Sequence, residues 1–435
     1  MSDFQPFQEF REKLFGSSKM GMAPPVVGVG AAGDDVLNYL RQRYANIEVT
    51  QSFVDDAGQH VDCVPIGQQP SLQGGAPIAS PPAFEEMAGT SPPRMPARPV
   101  AGLAESRKDR FGNQAYCPPG FVPVVRVTPE RIQKTGGLAA FFQKAPGGGR
   151  HPSFGAARRK VITRTTSLVG GVAMPVQNVG GALHAYAHAA QDVSQEQCIG
   201  ARTWMNVWTP DPTPGVFALS QLWISGQGPS GVQTIEGGWH VYPAFHDETS
   251  LIARLFIFWT PDGYQSGNYN LANQPGQPGF IQTDNTWVIG GALNASVTGG
   301  DQQGFLMQWQ RDPANGNWWL YLQGSDQPVA VGYYPASNYS GGPVATAAEH
   351  VDFGGEVCSQ QGSTQTGQMG SGQPASGGWQ QSAFHKEIAY LTSGGWQTAT
   401  LAPMQDAPEY TIDLHNNGSS AWGTFFFFGG AGGIF

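Results

Sequence analysis

The stretch Phe217-Ala218-Leu219-Ser220-Gln221-Leu222-Trp223-Ile224 has the period-two alternation of a β-strand, and strand after strand follows it. Arg254 to Trp259 reads as a buried strand. Phe305 to Gln310 and Trp318 to Leu322 flank Asp312-Pro313-Ala314-Asn315-Gly316, a hairpin signal. Val329 to Tyr334, Val351 to Val357, Lys386 to Leu391 and Trp422 to Phe428 continue the series. Gly 60, Pro 34 and 11% aromatics agree with many short strands and turns. On the order of ten antiparallel strands without long intervening helices predict an all-β domain, a two-sheet antiparallel β-sandwich. No internal repeat stands out.

Upstream the pattern changes. Asp34 to Tyr44 has helical periodicity, with acids at its start and arginines near its end as the helix dipole prefers. Ile47 to Val54 and His60 to Ile66 flank Asp55-Asp56-Ala57-Gly58 and read as a hairpin. Residues 67 to 115, rich in Pro, Gly, Ser and Ala, read as a loose linker. Gly120 to Val127 reads as a strand, and Thr128-Pro129 as the N-cap and first residue of a short helix. Gly147 to Pro152 reads as an exposed break. The 435 residues therefore divide into a mixed α+β region at 1–160 and a β-sandwich at 161–435.

Charge divides the chain differently. Lys and Arg against Asp and Glu are 5 and 11 in residues 1–93, 14 and 3 in 94–164, and 4 and 18 in 165–435. The last segment, with only Arg202, Arg254, Arg311 and Lys386 as cations, gains little positive charge as its carboxylates protonate, which suits acid conditions; drift in a polar surface is the plainer alternative. The basic segment has its cations interleaved with Pro and Gly rather than lined along a helix, so pairing with the acidic domain of the same chain is favoured over nucleic acid. No run of eighteen apolar residues spans a membrane. The first 21 residues hold Asp3, Glu9, Arg11, Glu12 and Lys13, so no standard secretory signal is visible.

Two short runs carry the chemistry. Thr234-Ile235-Glu236-Gly237-Gly238-Trp239-His240-Val241 and Phe353-Gly354-Gly355-Glu356-Val357 each place one glutamate beside a Gly pair in a strand-like run. Glu236 and Glu356 are a candidate two-carboxylate site; the alternative is a pair of ordinary turn glutamates. Gly28-Val29-Gly30-Ala31-Ala32-Gly33 matches a dinucleotide fingerprint, with Asp55 downstream, but follows only a two-residue apolar run and no further βαβ units. His184 and His188 have i, i+4 spacing without the glutamate of a zinc-protease helix, in a strand-like segment. No Gly-x-Ser-x-Gly elbow and no CxxC occur. No metal and no cofactor is called for.

Cys63, Cys117, Cys198 and Cys358 suit disulfides in an oxidising compartment; pairing 63 with 117 and 198 with 358 would close each half, and sequence leaves the connectivity open. A thiol nucleophile at Cys358 is a further alternative. Among the nine tryptophans from Trp204 to Trp319, two or three are expected in a groove.

Phe217 to Ser225, Thr234 to Val241, Leu255 to Tyr269 with Trp-Thr-Pro-Asp-Gly-Tyr inside it, Pro278 to Gln282, Asn317 to Leu320, Gly354 to Val357, Gly367 to Gly372 and Trp422 to Gly430 resemble, in order, the neprosin family of glutamic endopeptidases. The likeness covers nearly all of residues 180 to 430. Val61 to Ile66 with Gln69-Pro70, and Cys117-Pro118-Pro119-Gly120 leading to Arg126-Val127-Thr128, resemble the family's activation peptide. The resemblance implies a β-sandwich peptidase, made as a zymogen and secreted, that cuts after proline at acid pH with two glutamates. Carried over by motif, these are Glu236 and Glu356, with Gln221, Trp223, Trp239, Tyr264 and Gln282 as substrate-binding candidates. Phe353 stands where tryptophan is expected, which reads as a mild pocket change.

Two carboxylates across one cleft do not both ionise cheaply, so one holds a proton while the other activates water. The expected partners are proline-containing peptides and the chain's own pro-region as an intramolecular inhibitor, in a monomer without nucleic acid or membrane. Residues 94–164 are expected to cover the groove and to be cut in acid, after Pro146 or Pro152. A two-carboxylate glycoside hydrolase and a non-catalytic carbohydrate- or peptide-binding sandwich are the alternative readings.

Overall fold

The computed structural model describes residues 4–16, 31–72, 77–87, 108–144, 166–169, 172–175, 182–246, 250–272, 278–416 and 421–434. The N-terminal part holds α1 (Phe7–Phe15), α2 (Ala31–Tyr44), β1 (Ser52–Val54), β2 (His60–Pro65), β3 (Phe121–Val125), α3 (Pro129–Lys134) and α4 (Leu138–Phe142). The Thr128 side chain accepts from Arg131 N with Pro129 next to it, the predicted cap. β1, β2 and β3 form an antiparallel sheet, fastened by a Cys63–Cys117 disulfide and by Asp62, which takes Arg126 Nη2 at 2.5 Å. A separate hairpin pairs β4 (Thr166–Val169) with β5 (Val172–Pro175).

Eighteen further strands complete the chain: β6 (His184–Asp192), β7 (Gly200–Asn206), β8 (Phe217–Gly228), β9 (Gly231–Val241), β10 (Arg254–Thr260), β11 (Asn268–Tyr269), β12 (Ile281–Gln282), β13 (Gly304–Arg311), β14 (Trp318–Gln323), β15 (Val329–Tyr334), β16 (His350–Cys358), β17 (Gln365–Thr366), β18 (Ala383–Thr392), β19 (Gly395–Thr398), β20 (Ala402–Gln405), β21 (Thr411–His415), β22 (Phe425–Gly429) and β23 (Gly433–Ile434). Sixteen of them make two antiparallel sheets. The seven-stranded sheet has the order β11-β10-β9-β8-β16-β6-β20. The nine-stranded sheet runs β12-β15-β14-β13-β7-β18-β22-β21, with β19 beside β18.

The sheets pack face to face through the alternate residues of each strand. Trp239 Nε1 donates to Asn206 O across the interface at 2.7 Å, and Ser220 Oγ meets His385 Nε2 at 2.8 Å. Trp309, Trp318, Phe353 and Phe428 fill the layer between. β8 is nonetheless buried almost throughout, on both faces. Its outer face is covered by the N-terminal part, whose Phe7, Phe10, Tyr39, Phe141 and Phe142 join the same continuous core.

Three expectations change. Cys198 and Cys358 are not bridged; both are buried thiols. Cys198 pairs with Ala348 at one end of β16, whereas Cys358 ends that strand ten residues on, roughly 33 Å away at the usual strand rise. Phe353 lies on the inner face against His385, with ring centroids 6.3 Å apart, so its departure from tryptophan alters the core and not a pocket. Residues 77–87, inside the expected loose linker, lie docked along the nine-stranded sheet. The Gly28–Gly33 fingerprint falls mostly outside the described residues, and its partner Asp55 holds Arg254 Nη1 at 3.1 Å. Gly147 to Pro152 also lies outside them.

Candidate active site

On β9 the even residues face away from the sandwich core, and on β16 they do the same. Glu236 stands opposite Trp223 of β8, Gly354 opposite Gln221 and Glu356 opposite Leu219, so the two glutamates sit diagonally across β8 with Gln221 between them. The glycines have a steric purpose. A Cβ on Gly238 would lie 1.9 Å from Ser220 O, and one on Gly354 would lie 2.4 Å from Ala187 O at a φ of +144°. Both flank Gln221 on the neighbouring strands, leaving a bare backbone floor between the carboxylates.

Each carboxylate is fully buried and differently dressed. Glu236 Oε1 accepts from Thr234 Oγ1 at 2.8 Å and from Tyr264 Oη at 2.7 Å. Tyr264 reaches it from a loop in which its own φ is +67°, an uncommon conformation held by Thr260 and Asp262. Glu356 Oε1 lies 2.5 Å from His184 Nδ1 and accepts from Tyr186 Oη at 3.2 Å. Gln221 lies between them: with its amide oxygen toward the donors it accepts from Trp223 Nε1 at 2.7 Å and from Lys144 Nζ at 2.9 Å and gives its N–H to Glu236 Oε2 at 3.3 Å.

Between them lies Lys144. Its Nζ is 2.6 Å from Glu236 Oε2 and 2.9 Å from Glu356 Oε2, with no exposed side-chain surface on any of the three. It also sits 5.4 Å from the Trp223 ring and 5.8 Å from the Tyr264 ring. One ammonium reaches both carboxylates, so the space between them is that of one small polar group. Burial pushes the Glu236 carboxyl above its ordinary range, with Lys144 opposing. Burial acts the same way on Glu356, but the Lys144 charge and the His184 hydrogen bond outweigh it and bring that carboxyl down to about 2. The two groups are unlike, as two-carboxylate chemistry requires.

A second cluster ties the N-terminal part to the sandwich beside this site. Arg131 Nε donates to Phe245 O at 2.8 Å, and Arg131 Nη2 and Gln59 Nε2 approach His246 Nδ1 at 3.4 and 3.2 Å. His246 Nε2 meets His240 Nε2 at 2.6 Å, and His240 Nδ1 meets Tyr269 Oη at 2.5 Å. Donors facing His246 Nδ1 leave it an acceptor, so the chain of bonds runs through two neutral imidazoles. Burial, with Arg254 and Arg131 nearby, holds both histidines well below their ordinary pKa.

Of the residues singled out in sequence, Glu236, Glu356, Gln221, Trp223 and Tyr264 come together. Trp239 points into the core. Gln282 lies on β12, its amide donating to Asp284 O and Trp287 O and its backbone exchanging bonds with the Gln69 side-chain amide, away from the carboxylates. His184 is on Glu356, and His188 Nδ1 is 3.5 Å from Asp352 Oδ1. Reading the histidine pair as a metal spacing missed this role, although a strand places 184, 186 and 188 on one face, the face of Glu356. Among the described residues of the basic segment, Lys144 and Arg131 are cations that reach the sandwich site; Lys144 carries no local sequence signal beyond that segment's charge.

The Neprosin family profile matches residues 214–431. Among solved structures, the chain is similar to Scytalido-glutamic peptidase with a peptide based transition state analog, at 11% identity over 57% of this chain and 99% of that one, with a TM-score of 0.32. It is also similar to SCP-B, a member of the Eqolisin family of peptidases, in complex with the tripeptide Ala-Ile-His, at 8% identity over 59% and 100% of the two chains, with a TM-score of 0.29. With half of its length matched by that family profile, this chain belongs to the Neprosin family.

Proposed function

We propose that this glutamic-type peptidase hydrolyses peptide bonds with Glu356 as base and Glu236 as acid, and that Lys144 holds it latent. The observation that carries this reading is the single buried ammonium bridging two carboxylates of unlike character. With the lysine withdrawn, His184 stays on Glu356 and favours its ionised form, while Glu236 keeps the proton. Glu356 takes a proton from water as it attacks the scissile carbonyl. Glu236 protonates the developing oxyanion, assisted by the Gln221 amide and the Tyr264 hydroxyl; Glu356 then passes the proton it took from water to the leaving nitrogen, and the collapsing gem-diol returns a proton to Glu236.

Residues 1–160 act as the pro-region and 161–435 as the peptidase domain. Lys144 occupies the place of the reacting amide, so substrate and pro-region exclude one another. The two clusters at this interface both weaken in acid. Glu356 is held low while docked, so its contribution to docking is present above its released pKa and is lost as pH falls. Secretion is supported by the Cys63–Cys117 disulfide. Among the described residues no helix is long and apolar enough to cross a membrane. Preference for proline is supported by the aromatic walls at Trp223, Tyr264 and Phe258, the last two stacked 5.9 Å apart, and in sequence Ala145-Pro146 follow Lys144.

The test is cleavage of a proline-containing quenched peptide across pH 2 to 8 after acid incubation, with Glu236→Gln and Glu356→Gln alongside. Acid-limited activity lost in both variants is expected. Activity retained in either variant would remove the dyad.

A further inference from the structure

We propose that the outer face of the nine-stranded sheet is a second peptide-binding groove, remote from the carboxylates, that takes extended proline-rich polypeptide. In this form it is occupied by the chain's own Pro77-Ile78-Ala79-Ser80-Pro81-Pro82-Ala83-Phe84-Glu85-Glu86-Met87. The proposal rests on the reading that the pro-region leaves.

An outer sheet face in water ordinarily carries polar side chains. This one carries Trp319, Tyr321, Tyr333 and, at its far end, Trp204 and Trp396. The strap crosses it extended, with no strand or helix of its own. Its polar anchors run from groove side chains to strap backbone. Tyr333 Oη accepts from Ala79 N at 3.1 Å, and Tyr321 Oη donates to Pro82 O at 2.5 Å. Gln310 gives its amide N–H to Ala83 O at 2.9 Å and accepts from Glu85 N at 3.2 Å. Glu85 O receives both Gln308 Nε2 at 3.3 Å and Trp396 Nε1 at 2.8 Å. Phe84 packs at a tilt against Tyr321, with ring centroids 5.3 Å apart.

Bonds of this kind read an extended backbone and not a particular sequence. Tyrosine and tryptophan donors aimed at the carbonyls of a proline-rich segment are the chemistry by which aromatic grooves hold polyproline-type chains, whose carbonyls are solvated and whose shape is pre-set. The groove also exceeds its present occupant. Gln308 Oε1 and Trp319 Nε1, both buried, have no hydrogen-bond partner among the described residues. Beyond Glu85 it opens into a cavity of about 240 Å³ walled by Arg202, Trp204, Gln323 and Glu387, where Trp204 Nε1 and Arg202 Nε are likewise unpartnered. Loss of the strap would leave an aromatic face of the sort that marks a binding surface. It would hold a long substrate by a stretch distant from the bond being cut.

The test uses the full chain with residues 77–87 replaced by a Gly/Ser linker of equal length and with Glu356→Gln, so that nothing is cut. It is titrated with three labelled peptides: residues 77–87, an unrelated proline-rich eleven-residue peptide, and a Gly/Ser peptide. Saturable binding of the first two and not the third is expected, weakened at least tenfold by Tyr321→Phe with Gln310→Ala. Binding of the 77–87 peptide alone, or of neither, would overturn the proposal. Should the replaced chain not fold, acid-incubated full-length protein carrying Tyr321→Phe and Gln310→Ala decides: KM for a long proline-rich polypeptide rises at least fivefold with kcat and short-peptide cleavage unchanged, and an unchanged KM overturns it. Trans binding in the first assay, with acid-incubated wild type keeping its strap, would instead sink the maturation reading and leave the groove standing.

Discussion

The two outer faces of this sandwich are both covered by the N-terminal part, by opposite means. Over the seven-stranded sheet one lysine enters a buried acidic site and two histidines link to Arg131 and Gln59, so charge and protonation govern the contact. Over the nine-stranded sheet neutral donors and acceptors hold the strap's backbone and a phenylalanine packs at a tilt against Tyr321. The first cover is sensitive to acid. The second has no group among its anchors that titrates between pH 4 and 7, its tyrosines being pushed up by burial, so it is expected to hold equally across that range. On the proposed reading, the difference makes latency and docking separable functions of the N-terminal part.

The largest effect tests the acidic face. Glu236→Gln and Glu356→Gln each lower kcat/KM by about 10²–10⁴-fold on a short peptide, the usual worth of a general acid or base, while strap protection is unchanged. The next effect is on latency. Lys144→Met leaves two buried carboxylates without their cation and weakens docking over the seven-stranded sheet by about 3–5 kcal/mol. Cleavage of the short peptide at pH 7 without acid treatment is the measurement. Persistent latency would show that Lys144 only fills space.

How much of this was open to reading follows from which residues speak locally. The strands of both sheets announce themselves by alternation and hairpin turns, since a pleated, half-buried surface imposes a period of two. The pairing of the two glutamates was legible because each sits beside a glycine pair whose second or first member, Gly238 or Gly354, no side chain can replace. Lys144 and the strap were not legible. Their partners lie 92 and 212 residues from Lys144 and over 220 residues from Ala83, and nothing local marks a lysine for burial or a Pro/Ala run for docking. The expected Cys198–Cys358 bridge failed for a similar reason: closeness in a strand-rich chain depends on which ends of a strand residues occupy. Trp239 was misplaced because Trp on a strand says little about which face it takes, whereas the register with Glu236 decides it.

A smaller effect separates the faces by pH. His240 and His246 are held well below 6.5 while docked, chiefly by burial and then by Arg254 and Arg131. A released His246 of ordinary pKa binds a proton that the docked form refuses, so docking weakens as pH falls below about 6.5, by about 1.4 kcal/mol for each further unit. His246→Gln keeps an amide for Arg131 and His240 and removes the titration. In a Glu236→Gln background, hydrogen exchange at residues 128–142 between pH 4 and 7 becomes flatter in this variant. A slope equal to the parent's would shift the acid response onto Glu356 and Lys144 alone.

The smallest effect tests whether the two covers are independent. Tyr321→Phe removes one hydroxyl, the donor to Pro82 O, and keeps the ring against which Phe84 packs. One neutral hydrogen bond is worth about 1 kcal/mol, so the strap opens roughly fivefold more often. Amide exchange at Ala79 and Glu85 reports it, since both N–H groups are spent on the groove. Exchange at residues 128–142 and the pH at which latency is lost stay where they were, because Tyr321 touches neither Lys144 nor the histidines. Were those to move with the strap, the pro-region would be one cooperative cover, and the contrast between a charged plug and a neutral strap would carry no separate function.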